Sequence, residues 1–331
     1  MNFNLENNLN WQQQLAGSFA NPEELLKFLD LDLSHCTKKK LANIEFPFKV
    51  THSFASRMAK RDIHDPLLAQ VLPVTGELDL SHGFSTNPVG DLEATVSPGV
   101  LHKYHGRVLL IVTAACAINC RYCFRREFPY RNGSFSPAYE QMGLEYISKN
   151  ADINEVILSG GDPLMLNDSK LKSLIKKIAA IPHIIRLRVH TRLPIVLPSR
   201  ITAELIETLS ETRLQTVLVL HTNHPNELDR EIASAIGQLT DANIPLLNQS
   251  VLLKGVNDDA TILISLSEAL FALNVLPYYL HLLDKTKGTL HFATALPKAK
   301  SIQKRLRQKL PGFLVPRMVW EKSGEAFKLP L

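Results

Sequence analysis

Three cysteines fall within eight residues as Cys116-Ala-Ile-Asn-Cys120-Arg-Tyr-Cys123, a C-x3-C-x2-C spacing. Three thiolates on one short loop can hold three irons of a [4Fe–4S] cluster and leave the fourth iron open to an outside ligand. A structural zinc site normally takes four protein ligands, typically as two C-x2-C pairs, and no second pair is present. Three buried cysteines that only pack are the bland alternative, which such tight spacing disfavours. The cysteines follow the apolar run Val108-Leu109-Leu110-Ile111-Val112. That run reads as a buried strand, so the thiols are expected on the loop leaving its C-terminal end.

Further polar groups stand in the same relation to other apolar runs. Ser159-Gly160-Gly161-Asp162-Pro163 follows the next one, and its glycines allow close backbone approach to a ligand or simply make a tight turn. His190-Thr191-Arg192, His221-Thr222-Asn223-His224, Asn248-Gln249-Ser250 and His281-Leu282-Leu283-Asp284 follow in turn. One polar strand end is unremarkable, but a succession of them points to a concave polar site. The elements that must position them are strands near 108–113, 155–158, 185–189, 216–220, 244–248 and 277–282. Helices are expected near 136–149, 168–180, 199–210, 226–239, 258–273 and 296–309. Strands alternating with helices make an α/β fold with a parallel sheet, and six of them make an incomplete (β/α)6 barrel. Ligands in such folds bind at the C-terminal ends of the strands. Upstream, apolar spacing reads as helical to about residue 75, with starts near Pro22, Thr51 and Asp65. Residues 76–106 read as an irregular connector rich in Gly and Pro. The expected division is an N-terminal helical extension and connector (1–102), the partial barrel (103–292) and a C-terminal segment (293–331).

With 331 residues, 45% of them apolar and 21% charged, the chain can bury a full core and is not expected to be disordered. A net charge of +5 suits anionic ligands. Nucleic acid is not indicated, because no long Lys/Arg block appears outside 298–309. There Ile302, Leu306 and Leu310 recur at helical spacing, giving an amphipathic helix whose cationic face is either solvated or a docking surface for an acidic partner. Four cysteines, three of them clustered, imply a reducing compartment. The residues after Met1 lack the basic and apolar regions of a signal peptide, and no apolar run nears the ~18 residues of a membrane span, so a cytoplasmic protein is expected. On physics alone Lys103 and Arg107 read as a solvated strand edge and Lys328 as a tail lysine.

The cysteine spacing resembles the radical S-adenosylmethionine (SAM) superfamily. Read with His221-Thr-Asn-His-Pro-Asn-Glu and Asn248-Gln-Ser-Val-Leu-Leu-Lys-Gly-Val-Asn-Asp, the chain resembles the lysine 2,3-aminomutases from about Lys103 onward. Trp11-Gln-Gln-Gln-Leu-Ala and Asp65-Pro-Leu-Leu are similar to the branch of that family that serves β-lysylation of elongation factor P. The resemblance implies an isomerase that converts L-α-lysine to β-lysine, with the R isomer the expected product, using a [4Fe–4S] cluster, SAM and pyridoxal phosphate (PLP). It assigns Cys116, Cys120 and Cys123 to the cluster, and the Ser159, Gly160, Gly161 and Asp162 run to the SAM amino group. His221 and Gln249 are assigned to SAM, and Lys328 to PLP with Lys103 and Arg107 on its phosphate. Arg125 would meet the substrate carboxylate, and Asp284 and Glu321 the ε-ammonium. A cysteine-bearing zinc tail follows the PLP lysine in the free-lysine members. Here three residues follow Lys328 and the remaining cysteine is Cys36, so no zinc is expected. Expected partners are a ligase of the elongation factor P pathway that uses β-lysine and an electron donor such as flavodoxin or ferredoxin; a homo-oligomer is left open, because the oligomeric state of the free-lysine members is not carried over. The rival readings are a free-lysine mutase of general metabolism and a non-catalytic iron–sulfur scaffold. A glutamate mutase is disfavoured, since Asp284 and Glu321 would repel a second carboxylate.

Overall fold

The computed structural model describes residues 9–32, 45–79, 82–130 and 136–331; Cys36 and the first eight residues lie outside them. The chain begins with short capped helices. In α1 (Trp11–Ala16) Asn10 and Gln13 bond each other's backbone N–H as a capping box. In α2 (Pro22–Phe28) Asn21 caps a first turn that opens with Pro22. α3 (His52–Ala55) and α4 (Pro66–Ala69) are shorter than their apolar spacing suggested. Asp65 is the reason: its carboxylate accepts from the N–H groups of Leu67 and Leu68 and also from Ala59, which folds the intervening chain into turns.

Among the described residues ten strands form one open sheet, ordered as they occur in the chain. β1 (Thr95–Ser97) and β2 (Val100–Tyr104) form an antiparallel hairpin inside the stretch expected to be irregular. Pro98 and Gly99, two of the residues that make this stretch rich in Gly and Pro, form its turn, with Gly99 at φ +74°. The six expected parallel strands follow as β3 (Arg107–Thr113), β4 (Glu155–Gly160), β5 (Arg186–Thr191), β6 (Gln215–His221), β7 (Leu246–Leu252) and β8 (Val275–Leu282). β9 (Arg317–Trp320) adds a seventh parallel strand, and β10 (Leu329–Pro330) pairs antiparallel with it. The partial barrel is therefore present, lengthened at both edges by pieces too short to carry a sequence pattern.

The crossovers are α5 (Pro137–Lys149), α6 (Asp168–Ala179), α7 (Leu193–Val196), α8 (Ala203–Ser210), α9 (Arg230–Asp241), α10 (Ala260–Ala272) and α11 (Leu296–Lys309). Side chains of Ser136, Asn167, Thr202, Asp229 and Asp259 cap α5, α6, α8, α9 and α10. α8 and α9 start later than expected because Pro198–Arg200 and Pro225–Glu227 form separate 3-10 turns. Alternation along β5 buries Leu187 and Val189 and turns Arg188 and His190 into the barrel interior. One continuous core joins Leu25, Phe54 and Leu67 of the first helices to Leu158, Val189 and Met318 of the sheet.

Residues 82–94 cross the C-terminal mouth of the barrel as a strap. Ser85 N–H donates to Lys285 O and Lys287 N–H to Ser85 O, both at 2.9 Å, in the loop after β8. Gly90 lies against Ser323 of the turn after β9.

Candidate active site

The three thiols sit on the loop after β3, none of them in a disulfide. This loop is held from both sides. Gly161 N–H donates to Thr113 O (2.7 Å) and Asp162 N–H to Ala115 O (2.8 Å). A Cβ on Gly161 would overlap the Ala115 carbonyl oxygen. The close approach that these glycines permit is thus first to the cysteine loop itself. From the N-terminal side Arg121 N–H donates to Gln70 O (2.9 Å). Glu77 accepts from Arg121 Nε (2.8 Å) and Nη2 (2.5 Å) and from Arg126 Nη2 (2.8 Å). Both guanidinium groups lie over the Phe46 ring.

A second buried network stands beside Cys120. Arg192 Nη1 donates to Cys120 Sγ and to Tyr122 Oη, while its Nη2 donates to Gln70 Oε1 (2.7 Å) and Glu227 Oε2 (3.0 Å). Tyr122 Oη meets His221 Nε2 at 2.7 Å. Arg121, Arg125, Arg126 and Arg192 pair with Glu77, Asp91, Glu127 and Glu227. Burial, then neighbouring charges, holds the Cys116 thiol well above its ordinary range and Cys123 at about 11. Such thiols lose their protons when a cation binds them, which is what an iron cluster provides. No three described His, Cys, Asp or Glu side chains are grouped to hold a single metal ion. The donor set, three free thiols from one loop lining one cavity, fits a cluster.

A cavity of about 950 Å³ opens at the strand ends and runs into the barrel. Every residue to which the resemblance assigns a role lines it: the three cysteines, Ser159 to Asp162, Lys103, Arg107, Arg125, His221, Gln249, Asp284, Glu321 and Lys328, whereas the strand-end residues Thr222, Asn223, His224, Asn248 and Ser250 do not. A chain of alternating charges crosses it. Lys328 Nζ pairs with Glu321 Oε2, and Glu321 Oε1 accepts from Lys103 Nζ at 2.7 Å. Lys103 Nζ pairs with Asp91 Oδ1 at 2.5 Å, and Asp91 Oδ2 accepts from Arg125 Nε at 2.7 Å. Arg125 Nη1 then donates to Ser159 Oγ at 3.0 Å. Burial favours protonated Glu321, but Lys328 and Lys103 outweigh it and hold the carboxyl at about 2. Asp284 is pushed up to about 7, by burial and by the Glu321 charge. His281 is lowered to about 3 by burial and by Lys328, and burial likewise lowers His190 and His221. Three neutral imidazoles therefore face the cavity.

Two groups differ from a simple ligand role. Asp162 spends its carboxylate inside the protein: Oδ1 accepts from Thr191 Oγ1 (2.7 Å) and Leu164 N (3.1 Å), and Oδ2 from the N–H groups of Arg192 (2.7 Å) and Leu193 (3.1 Å). It locks the end of β4 to the start of α7. Lys103 and Arg107 are not a solvated edge, since both line the cavity. Arg107 lies over the Tyr104 ring and has no ion-pair partner among the described residues. Sequence reasoning missed Asp91, Glu77 and Tyr122 as members of the site, and marked Arg192 and His281 only as polar strand ends without a role. The run His281-Leu-Leu-Asp284 did carry a signal, because a polar strand end had already been marked there.

A family model described as the Radical SAM superfamily matches residues 110–264, which span the cysteine loop and the strands β4 to β7. In solved structures the chain is similar to Streptococcus suis SuiB bound to S-adenosylmethionine, with TM-score 0.48 and 13% identity over 68% of this chain and 52% of that one. The protein is a radical SAM enzyme, a class whose members use a [4Fe–4S] cluster and SAM. It is 46% identical to an L-lysine 2,3-aminomutase of Escherichia coli over 97% of this chain and 94% of the relative. With an L-lysine 2,3-aminomutase of Clostridium subterminale it shares 34% identity, over 97% of this chain and 77% of that one. The chain belongs to the lysine 2,3-aminomutase family of isomerases. No described helix is long and apolar enough to cross a membrane.

Proposed function

We propose that this protein converts L-lysine to (R)-β-lysine with PLP as its third cofactor, and that the product serves the modification of elongation factor P. The observation that carries the reading is the charge chain of the cavity. Cationic and anionic groups alternate from Arg125 to Lys328, within the same space as the cluster thiols. Lysine has a carboxylate at one end and an ammonium at the other, and such a ligand needs a cation and an anion set apart.

The residues suit PLP. Lys328 is about a quarter exposed and offers an amine to an aldehyde, while Lys103 and Arg107 supply positive charge for a phosphate. The volume lies at the upper end of ordinary ligand sites, roughly 300–1,000 Å³. When bound, PLP supplies the conjugated carrier on which an amino group can change carbons, and the cluster with SAM supplies the radical. The protein supplies position and charge. Arg125 takes the α-carboxylate, held by Asp91 and Ser159. Glu321 remains anionic and, with Asp284, receives the ε-ammonium. The neutral His221, oriented by Tyr122, and Gln249 face SAM. An external carrier such as flavodoxin or ferredoxin delivers the electron. The elongation factor P destination is supported by the N-terminal motifs Trp11-Gln-Gln-Gln-Leu-Ala and Asp65-Pro-Leu-Leu.

The test is anaerobic incubation of protein reconstituted with iron, sulfide and PLP, with L-lysine, SAM and a reductant, followed by chiral chromatography. (R)-β-Lysine is expected. Recovery of unchanged lysine from protein that carries full iron and PLP would overturn the reading. Lys328→Ala should keep the iron and lose the PLP that borohydride fixes to the chain. PLP fixed instead to another lysine would show that the assignment of Lys328 is wrong.

A further inference from the structure

Asp91 was invisible in the sequence, yet its carboxylate joins two of the cavity's cations, Lys103 and Arg125. It is 3% exposed and comes from the strap rather than from the barrel. The local chain fixes its direction. Asn87 Oδ1 accepts from Asp91 N–H at 2.9 Å, Asp91 O accepts from Thr95 Oγ1 at 2.9 Å, and Gly90 packs on Ser323. Burial alone would favour protonated Asp91, but Arg125 and Lys103 lower its range, so it stays ionised.

A guanidinium has five N–H donors and two edges that can grip a carboxylate with two bonds, Nε with Nη2 or Nη1 with Nη2. Here Nε is taken by Asp91, which closes the first edge. Ser159 uses one hydrogen of Nη1 and leaves the other, and the Phe124 ring covers one face of the group at 4.7 Å. Nη2 has no hydrogen-bond partner among the described residues, so the donors left for a carboxylate lie on Nη1 and Nη2.

We propose that Asp91 is a specificity-determining positioning residue: it turns Arg125 so that the Nη1–Nη2 edge meets the substrate's α-carboxylate. This rests on the reading of Arg125 given above. A carboxylate on the strap, outside the barrel strands, thereby sets which amino-acid derivatives the cavity accepts. Free amino acids fit, and derivatives lacking an ionised carboxylate are refused.

The experiment compares L-lysine with L-lysinamide, which keeps both amines and lacks the carboxylate. Equilibrium dialysis of the cofactor-loaded protein without reductant gives the two affinities for the parent, Asp91→Ala and Asp91→Asn. Iron content, PLP content and melting temperature are measured on the same samples. The parent should prefer lysine by tenfold or more. Asp91→Ala should lose about tenfold of that preference through weaker lysine binding, with lysinamide binding held within twofold. Asp91→Asn, which keeps the shape of the loop, should lie between the two. A parent that prefers lysine and an Asp91→Ala protein that keeps the preference overturn this inference alone. A parent that binds both equally overturns the Arg125 reading and this inference with it. An equal loss for both ligands shows that Asp91 only holds the strap, and overturns it too.

Discussion

Asp284 and Glu321 face one cavity with widely separated titration ranges. Burial and the Glu321 charge bring Asp284 to about 7, whereas two lysines outweigh burial and keep Glu321 ionised down to about 2. Substrate ammonium needs the ionised form of Asp284. Lysine affinity of the cofactor-loaded protein should therefore rise with pH through a limb centred near 7, with a proton released on binding. Asp284→Asn should flatten that limb. It should also lower kcat/KM for lysine by two orders of magnitude or more, since breaking a desolvated charge pair costs about 3–5 kcal/mol. Norleucine, which lacks the ammonium, should lose much less, and an equal loss for both substrates would deny the pairing. Stability carries the same sign information. The folded protein holds a proton on Asp284 that the unfolded chain releases near 4, so this group makes the free protein less stable as pH rises from about 4 to about 7. Glu321 acts oppositely, with stability present above its unfolded range and lost as pH falls toward 2. Denaturant titrations of parent and Asp284→Asn between pH 4 and 8 would show the first slope removed. The sequence alone gave no reason to choose Glu321 or Lys328, which sit in a tail without periodicity; only motif resemblance reached them. Asp91 escaped both routes. It lies 34 residues before Arg125 in a Gly/Pro-rich stretch, and its partners are set by how the strap crosses the barrel.

The cysteine loop was legible as an element, because an apolar run before a polar cluster fixes both the strand and the end at which the cluster emerges. What holds that loop was not. Glu77, with a side chain 1% exposed, pairs with two arginines that flank Cys123 and comes from a turn 44 residues upstream of one and 49 upstream of the other. Removing its charge leaves Arg121, wholly buried, without a counter-ion. Glu77→Gln should destabilise the protein by about 3–5 kcal/mol and lower its retained iron, measured by denaturant unfolding and iron assay. Unchanged iron and stability would show that the clamp contributes nothing. On the opposite side of the loop, Gly161→Ala sets a methyl group into the Ala115 carbonyl and must move the loop or β4. Iron should be lost with the far-ultraviolet circular dichroism nearly unchanged. Full iron in Gly161→Ala would mean the loop yields without cost. The hairpin β1–β2 and the strand β9 were unreadable for a different reason. Pieces of three to five residues carry too little alternation to be told from turns, and their pairing depends on neighbours far along the chain.

At the scale of the whole molecule, the cavity is closed by two segments that stand outside the six-strand repeat. The strap before β1 and the segment after β9 meet over the strand ends, and the charge chain crosses from one to the other through Lys103 and Glu321. An open sheet leaves this seam without a ladder among the described residues, so side chains and one close backbone approach must hold it. Gly90 is that approach. It lies at φ +68°, and a Cβ there would overlap Ser323. Gly90→Ala should cost about 1–2 kcal/mol from the left-handed backbone alone, with the displaced Ser323 adding to it. The loss should be local, because the continuous core does not depend on the strap. Hydrogen exchange should quicken at Leu331, whose N–H bonds Met318 O at 3.0 Å, and along β9 and β10, while β4 to β7 keep their protection. The same variant should bind lysine more weakly, since Glu321 and Lys328 ride on the released segment. Faster exchange spread evenly over all strands would mean that the seam is part of the global fold and not a separate closure of the site.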